Sequence, residues 1–250
     1  MKRHSDESTN DMAVSTFNSL GSTALGQIAR INVSVHAPRC NLDTLLTRPL
    51  PDLQVHGYQY GSGRRDTLYS LASGAGKKLW NSEYGEGDAT GVQLVSNLLL
   101  DFRWLRPTAW VYWQALDGGG WGLIDADNES GRLGNANQKL FALANFARHI
   151  RPGYRILDGG SDNVVAAWDS SARKLVIVAA NWGSAQYLNF ELSGFATRPA
   201  NGTVVQRWST ILGSGEQYKQ YSDTTISGTK FWSNFATNQL QTFEVTGIAP

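Results

Sequence analysis

Apolar residues return at helical spacing most clearly after Thr90, where Val92, Val95, Leu99 and Phe102, interleaved with Leu98 and Leu105, recur every three or four residues until Pro107. The stretch before it, Lys78-Leu79-Trp80-Asn81-Ser82-Glu83-Tyr84-Gly85, starts apolar and turns abruptly polar and glycine-rich, as a buried strand does where it enters a loop. Together they predict a strand-loop-helix unit with Glu83 at the mouth of the strand. Thr108 to Gln114 predicts a short aromatic strand, with Trp110, Tyr112 and Gln114 on one face and Ala109, Val111 and Trp113 on the other. Gln138 to Ile150 predicts a helix through Leu140, Leu143, Ala144, Ala147 and Ile150, stopped by Pro152-Gly153. Upstream, Ser8 to Leu20 reads as a capped helix with Val14, Phe17 and Leu20 on one face, and Gln27 to Val33 as the start of a strand. Alternating strands and helices predict a parallel β/α barrel, whose chemistry sits at the C-terminal ends of the strands.

From Tyr154 the texture changes. Val164–Trp168, Lys174–Ala179, Tyr187–Leu192, Thr203–Trp208 and Leu240–Val245 read as short strands separated by Gly, Asn, Ser and Asp, with no long helix between them. That pattern predicts an antiparallel β-sandwich. The expected organisation is therefore α/β plus all-β, with a partial barrel over 1–152 and a sandwich over 153–250.

Composition narrows the partners. A net charge of +1 with no run of one sign suits neither nucleic acid nor an anionic membrane, and fits a neutral polysaccharide better. Nine Trp and nine Tyr could stack on sugar rings as well as fill a core. Cys40 is the sole cysteine, so no intramolecular disulfide and no multi-cysteine zinc site is expected. His4, His36, His56 and His149 lack metal-ligand spacing, so neither a metal nor a cofactor is expected. No apolar run is long enough for a membrane span, and no secretion signal follows Met1.

Glu83 is the residue type that glycoside chemistry needs, an ionised carboxylate able to attack an anomeric carbon. His56-Gly57-Tyr58-Gln59-Tyr60 precedes it, and in an extended strand His56, Tyr58 and Tyr60 would share one face. Arg64 and Arg65, in the loop that follows, could hydrogen-bond sugar hydroxyls or simply be solvated.

The segments His56–Tyr60, Leu79–Gly91, Leu100–Gln114 and Gly118–Asp127 occur in an order that resembles glycoside hydrolase family 30, and within it the fungal endo-β-1,6-galactanases. The resemblance covers most of the chain from about Ser5. It implies that the strand-helix units are the last three of a (β/α)₈ barrel, so the chain would be a C-terminal portion of the whole enzyme. It implies Glu83 as nucleophile, His56, Tyr58 and Tyr60 lining the sugar pocket, and Trp113 beneath the bound sugar as a stacking platform. It further implies an extracellular enzyme that hydrolyses β-1,6-galactan side chains with retention.

Two features depart from the family pattern. Residues 34–54 interrupt what would otherwise be a continuous strand from Ile31-Asn32-Val33 into His56-Gly57-Tyr58, as an in-frame retained intron or a long surface loop would. The family's acid/base glutamate typically lies in an Asn-Glu-Pro motif, and none occurs here; Glu7, Glu86, Asp88 and Asp117 do not match it. General acid assistance is worth roughly 10²–10⁴ in rate, so a truncated form without it is expected to be impaired. The rival readings are a β-1,6-glucanase of the same family and a non-catalytic carbohydrate-binding remnant. An unrelated dinucleotide enzyme is the weakest, since Gly85-x-Gly87-x-x-Thr90 lacks the last glycine of that fingerprint.

Overall fold

The computed structural model describes residues 32–33, 52–58, 61–213 and 215–250. These fall into two compact units, one made of residues up to Glu86 with Leu100–Gln114, the other of Gly87–Leu99 with Ala115–Pro250. The predicted helix over 8–20, most of the predicted strand over 27–33, residues 34–51 and Tyr60 lie outside the described residues.

The first unit is a parallel sheet in the order β1 (Asn32–Val33), β2 (Asp52–His56), β3 (Lys78–Tyr84) and β4 (Ala109–Tyr112). Helix α1 (Arg65–Gly74) connects β2 to β3 and buries Leu68 and Ala72 against Val55, Leu79 and Leu105. The sequence pattern suggests a loop at Arg65, and the structure starts this helix there. Asn32–Val33 is also not the beginning of the strand that carries His56. It lies beside that strand, with Asn32 opposite Gln54 and Val33 opposite Val55, and Asp52–Gln54 belong to β2 rather than to an insert.

The helix expected after Thr90 forms as α2 (Val92–Leu100), then widens into a π-helical turn over Asp101–Leu105. Arg106 closes that turn in a left-handed conformation (φ 49°), donating its N–H to the Asp101 carbonyl at 2.8 Å, and Pro107 prevents continuation. Ahead of α2, Asp88 Oδ1 accepts the Thr90 N–H and hydroxyl while Oδ2 accepts the Gln93 N–H at 3.0 Å. Burial alone would raise the Asp88 pKa; these bonds and the Lys139 charge outweigh it and hold the carboxyl below its usual value.

In the second unit, Leu116 to Ala136 forms a small sheet of β5 (Leu116–Asp117), β6 (Ile124–Asp127) and β7 (Arg132–Ala136). Helix α3 (Gln138–Ala147) follows. Then come β8 (Arg155–Leu157), β9 (Val164–Asp169), β10 (Lys174–Asn181), β11 (Gln186–Glu191), β12 (Val204–Ile211), β13 (Lys219–Thr225), β14 (Lys230–Phe235) and β15 (Gln239–Thr246). Six of these form one antiparallel sheet, β13-β12-β15-β10-β9-β8, and β11 pairs with β14 as a two-stranded ribbon. Phe190, Phe231 and Phe235 of the ribbon meet Phe243 of β15, with ring centroids 4.8 Å apart for Phe190–Phe231 and 5.1 Å for Phe231–Phe243. This is the core of the β-rich, sandwich-like unit that the succession of short strands implied.

Helix α3 joins that sheet through polar contacts as well as apolar ones. Asn145 donates from Nδ2 to the Thr210 hydroxyl at 2.8 Å and accepts from the Thr242 hydroxyl at 2.9 Å, all three side chains being buried. Just beyond the helix, buried His149 lies 2.8 Å from Glu244 Oε1 through Nδ1 and 2.7 Å from the Tyr218 hydroxyl through Nε2. Burial would raise the Glu244 pKa, but the hydrogen bonds from His149 and Lys174 reverse this and hold it below the usual glutamate value.

Candidate active site

Glu83 stands at the C-terminal end of β3, where the parallel sheet exposes strand ends and loops. A bulge between Val55 and His56 shifts the β2–β3 register so that His56 faces Glu83 rather than Ser82. The Gly57 N–H then donates to the Glu83 carbonyl at 2.7 Å, which holds the turn after β2 against the end of β3. Only glycine fits at this position: a Cβ on residue 57 would fall 2.2 Å from Asn81 Nδ2.

The strand ends at His56, yet His56 and Tyr58 stay together, their ring centroids 6.2 Å apart, while Tyr60 lies outside the described residues. The chain turns at Gly57, and the turn brings Tyr58 to Glu83. Its hydroxyl donates to Glu83 Oε1 at 2.7 Å. His56 Nδ1 is 3.5 Å from the same oxygen, a longer electrostatic contact. Among the described residues Oε2 receives no hydrogen bond, and the Glu83 side chain is 27% exposed. Held by one oxygen and open at the other, such a carboxylate can present a nucleophile.

An aromatic series borders Glu83. Tyr58 and Tyr84 are 6.3 Å apart between ring centroids, Tyr84 and Trp110 5.5 Å, and Trp110 and Tyr112 6.4 Å. Trp113, just past β4, donates its N–H to the Tyr84 carbonyl at 2.7 Å and keeps its ring 49% exposed. The Trp113–Gln114 peptide is cis. A half-exposed indole beside the strand end carrying Glu83 suits ring stacking.

The site rests on a buried polar cluster that was not foreseen. Asp101, fully buried at the start of the π-helical turn, accepts from Arg65 Nε at 2.7 Å on Oδ1 and from Asn81 Nδ2 at 2.7 Å and Trp110 Nε1 at 2.9 Å on Oδ2. Burial pushes the Asp101 pKa up, against the lowering pull of the Arg65 charge and of the bonds from Arg65, Trp110 and Asn81. One carboxylate thus ties α1, β3, β4 and the π-helical turn together two residues before Glu83. Arg65 is 4% exposed and donates from Nη1 to the Ser62 carbonyl, so it is a structural cation rather than a sugar contact. Asp88, with both oxygens engaged at the helix cap, is not free to act as an acid.

Comparison with known proteins bears on what this geometry is. No family model matches the chain. It is 51% identical over 244 residues to an endo-β-1,6-galactanase of Hypocrea rufa, covering 98% of this chain and 46% of that protein. A glycoside hydrolase family 30 subfamily 8 xylanase from Clostridium acetobutylicum matches with a TM-score of 0.63 and 22% identity, over 81% of this chain and 50% of that one. A family 30 endoxylanase from Clostridium papyrosolvens matches with a TM-score of 0.64 and 20% identity, over 96% and 61%. The chain spans about half the length of the curated relatives it matches. The resemblance read from its motifs is thereby shown: it is a relative of an endo-β-1,6-galactanase and shares its fold with family 30 xylanases.

Proposed function

We propose that this chain carries the nucleophile-bearing part of an extracellular, retaining glycoside hydrolase that cleaves β-1,6-galactan. In this reading β1 to β4 with α1 to α3 form the C-terminal portion of a (β/α)₈ barrel over 1–152, followed by the sandwich over 153–250. The observation that carries the reading is the placement of Glu83 at a strand end with Oε1 held by Tyr58. The identity to the Hypocrea rufa galactanase supports the choice of substrate.

In the mechanism, Glu83 Oε2 attacks the anomeric carbon and the glycosidic oxygen leaves, giving a glycosyl ester that water later hydrolyses. The Tyr58 hydroxyl donates to Oε1 throughout and fixes the carboxylate plane. His56 lines the sugar pocket and Trp113 stacks beneath the sugar; for Tyr60, outside the described residues, the pocket role rests on the resemblance alone. A retaining reaction also needs a protonated carboxyl about 5–5.5 Å from the nucleophile. With no Asn-Glu-Pro in the sequence and Asp88 committed to its helix cap, this reading gives the acid/base role to a residue of the wider protein.

The test compares the chain alone with the chain joined to the remaining portion of the galactanase it matches, each supplied with β-1,6-galactan and β-1,6-glucan while new reducing ends are measured. Galactan turnover by the joined form, abolished by Glu83→Gln, is expected. Trapping with a 2-deoxy-2-fluoro-galactosyl donor should esterify Glu83. Ester formation on another residue, or preferential turnover of glucan, would overturn the corresponding part of the reading.

A further inference from the structure

The ribbon of β11 and β14 turns Phe190, Phe231 and Phe235 into the sandwich core, so alternation puts Tyr187, Asn189 and Glu191 of β11 with Lys230, Trp232 and Asn234 of β14 on its outer face. An outer face facing water is ordinarily polar. This one instead carries two large rings, Tyr187 at 66% and Trp232 at 45% exposure. Across the ribbon Tyr187 faces Asn234 and Trp232 faces Asn189, so rings and amides alternate in a checkerboard. The opposed charges of Glu191 and Lys230 lie together at one end, and the middle of the face is uncharged.

We propose that this face is a second carbohydrate-binding site, a platform for a β-linked polysaccharide separate from the Glu83 site. The two rings are diagonal neighbours, about 7–8 Å apart by strand geometry, within reach of adjacent residues of one glycan. Their faces carry partial negative charge and attract polarised C–H groups; β-galactopyranose gathers C3–H, C4–H and C5–H on one side. Among the described residues the Asn189 and Asn234 side chains make no hydrogen bond, so donors and acceptors lie open between the rings for sugar hydroxyls. Leu and Val are missing from the face, which disfavours an apolar protein partner. The choice of galactan as ligand rests on the proposed function; the platform itself does not.

Affinity electrophoresis of the full chain through gels containing β-1,6-galactan, β-1,6-glucan or xylan tests this. The Glu83→Gln variant should be retarded by galactan, and Tyr187→Ala and Trp232→Ala should each weaken retardation roughly tenfold, the double variant keeping no more than the Glu83 pocket gives, which Trp113→Ala then removes. Both side chains face solvent, so unchanged melting of the variants checks that the fold is kept. Retardation by glucan or xylan instead, lost in the double variant, supports the platform while overturning galactan as its ligand. Retardation by none of the three, retardation insensitive to both substitutions, or self-association through this face without glycan binding would each overturn the proposal.

Discussion

Replacing Asp101 by Asn tests whether the buried cluster holds the Glu83 strand in place. The substitution keeps size and shape but removes the charge opposite Arg65, which is only 4% exposed, and offers an N–H where a donor already points. Breaking a buried ion pair by removing one partner costs about 3–5 kcal/mol, because the remaining charge stays buried. With urea slopes of about 1–3 kcal/mol per M, the unfolding midpoint read by tryptophan fluorescence should fall by at least about 1 M. Arg65→Met alone should be comparably harmful. Combining it with Asp101→Leu removes both charges and leaves neutral groups short of a partner, among them the Asn81 and Trp110 donors and the Ser62 carbonyl, at about 1–3 kcal/mol each. The double variant should therefore lose markedly less than the sum of Arg65→Met and Asp101→Leu. Additivity within about 0.5 kcal/mol would refute the reasoning, since it would mean the two groups do not depend on each other.

Tyr58→Phe removes a hydrogen bond to a charged group, worth about 1.5–3 kcal/mol, so fluorosugar trapping at Glu83 should slow by roughly 10- to 100-fold. Gly57→Ala forces a Cβ into Asn81, and overpacking of this kind costs about 1–3 kcal/mol; Asn81→Ser in the same chain should recover part of the lost melting temperature. The depressed Glu244 pKa adds stability that is fully present above the usual glutamate value of 4.5 and is lost as pH falls through the lower folded-state value. Glu244→Gln should accordingly flatten the fall in melting temperature below pH 4.5, and an unchanged acid limb would count against that assignment.

Where a strand or helix is long and periodic, the sequence was readable. The helix after Thr90, the strand ending near Glu83 and five sandwich strands all appear close to their expected places, because the apolar positions fill one face. The failures have physical causes. β13 (Lys219–Thr225) is almost wholly polar because it edges its sheet, so burial leaves no alternation to read. β2 was cut short because Asp52 and Gln54 looked like loop residues, and register with β3 decides their fate. The contact between Tyr58 and Glu83 depends on a turn at Gly57 that no periodicity in the sequence announces. The Asp101 cluster did leave a trace. Leu94, Leu98, Asp101 and Leu105 follow the spacing of one buried stripe, and a carboxylate in such a stripe must find a cation or donors. Arg65 could not be named from that trace, since the pairing spans 36 residues and depends on how α1 lies against the π-helical turn.

The π-helical turn makes chain length at this point a form of specification. Arg106 reaches back five residues to Asp101, one more than an ordinary helix allows. Deleting a single residue between Phe102 and Leu105 would restore common pitch with little change of helix phase, and would shorten the path to β4 by one residue. β4, and Trp110 with it, would then slip against β3, away from the carboxylate that Trp110 now shares with Asn81. The number of residues here matters more than most of their side chains, because a miscount would shift the strand beside the one that carries Glu83.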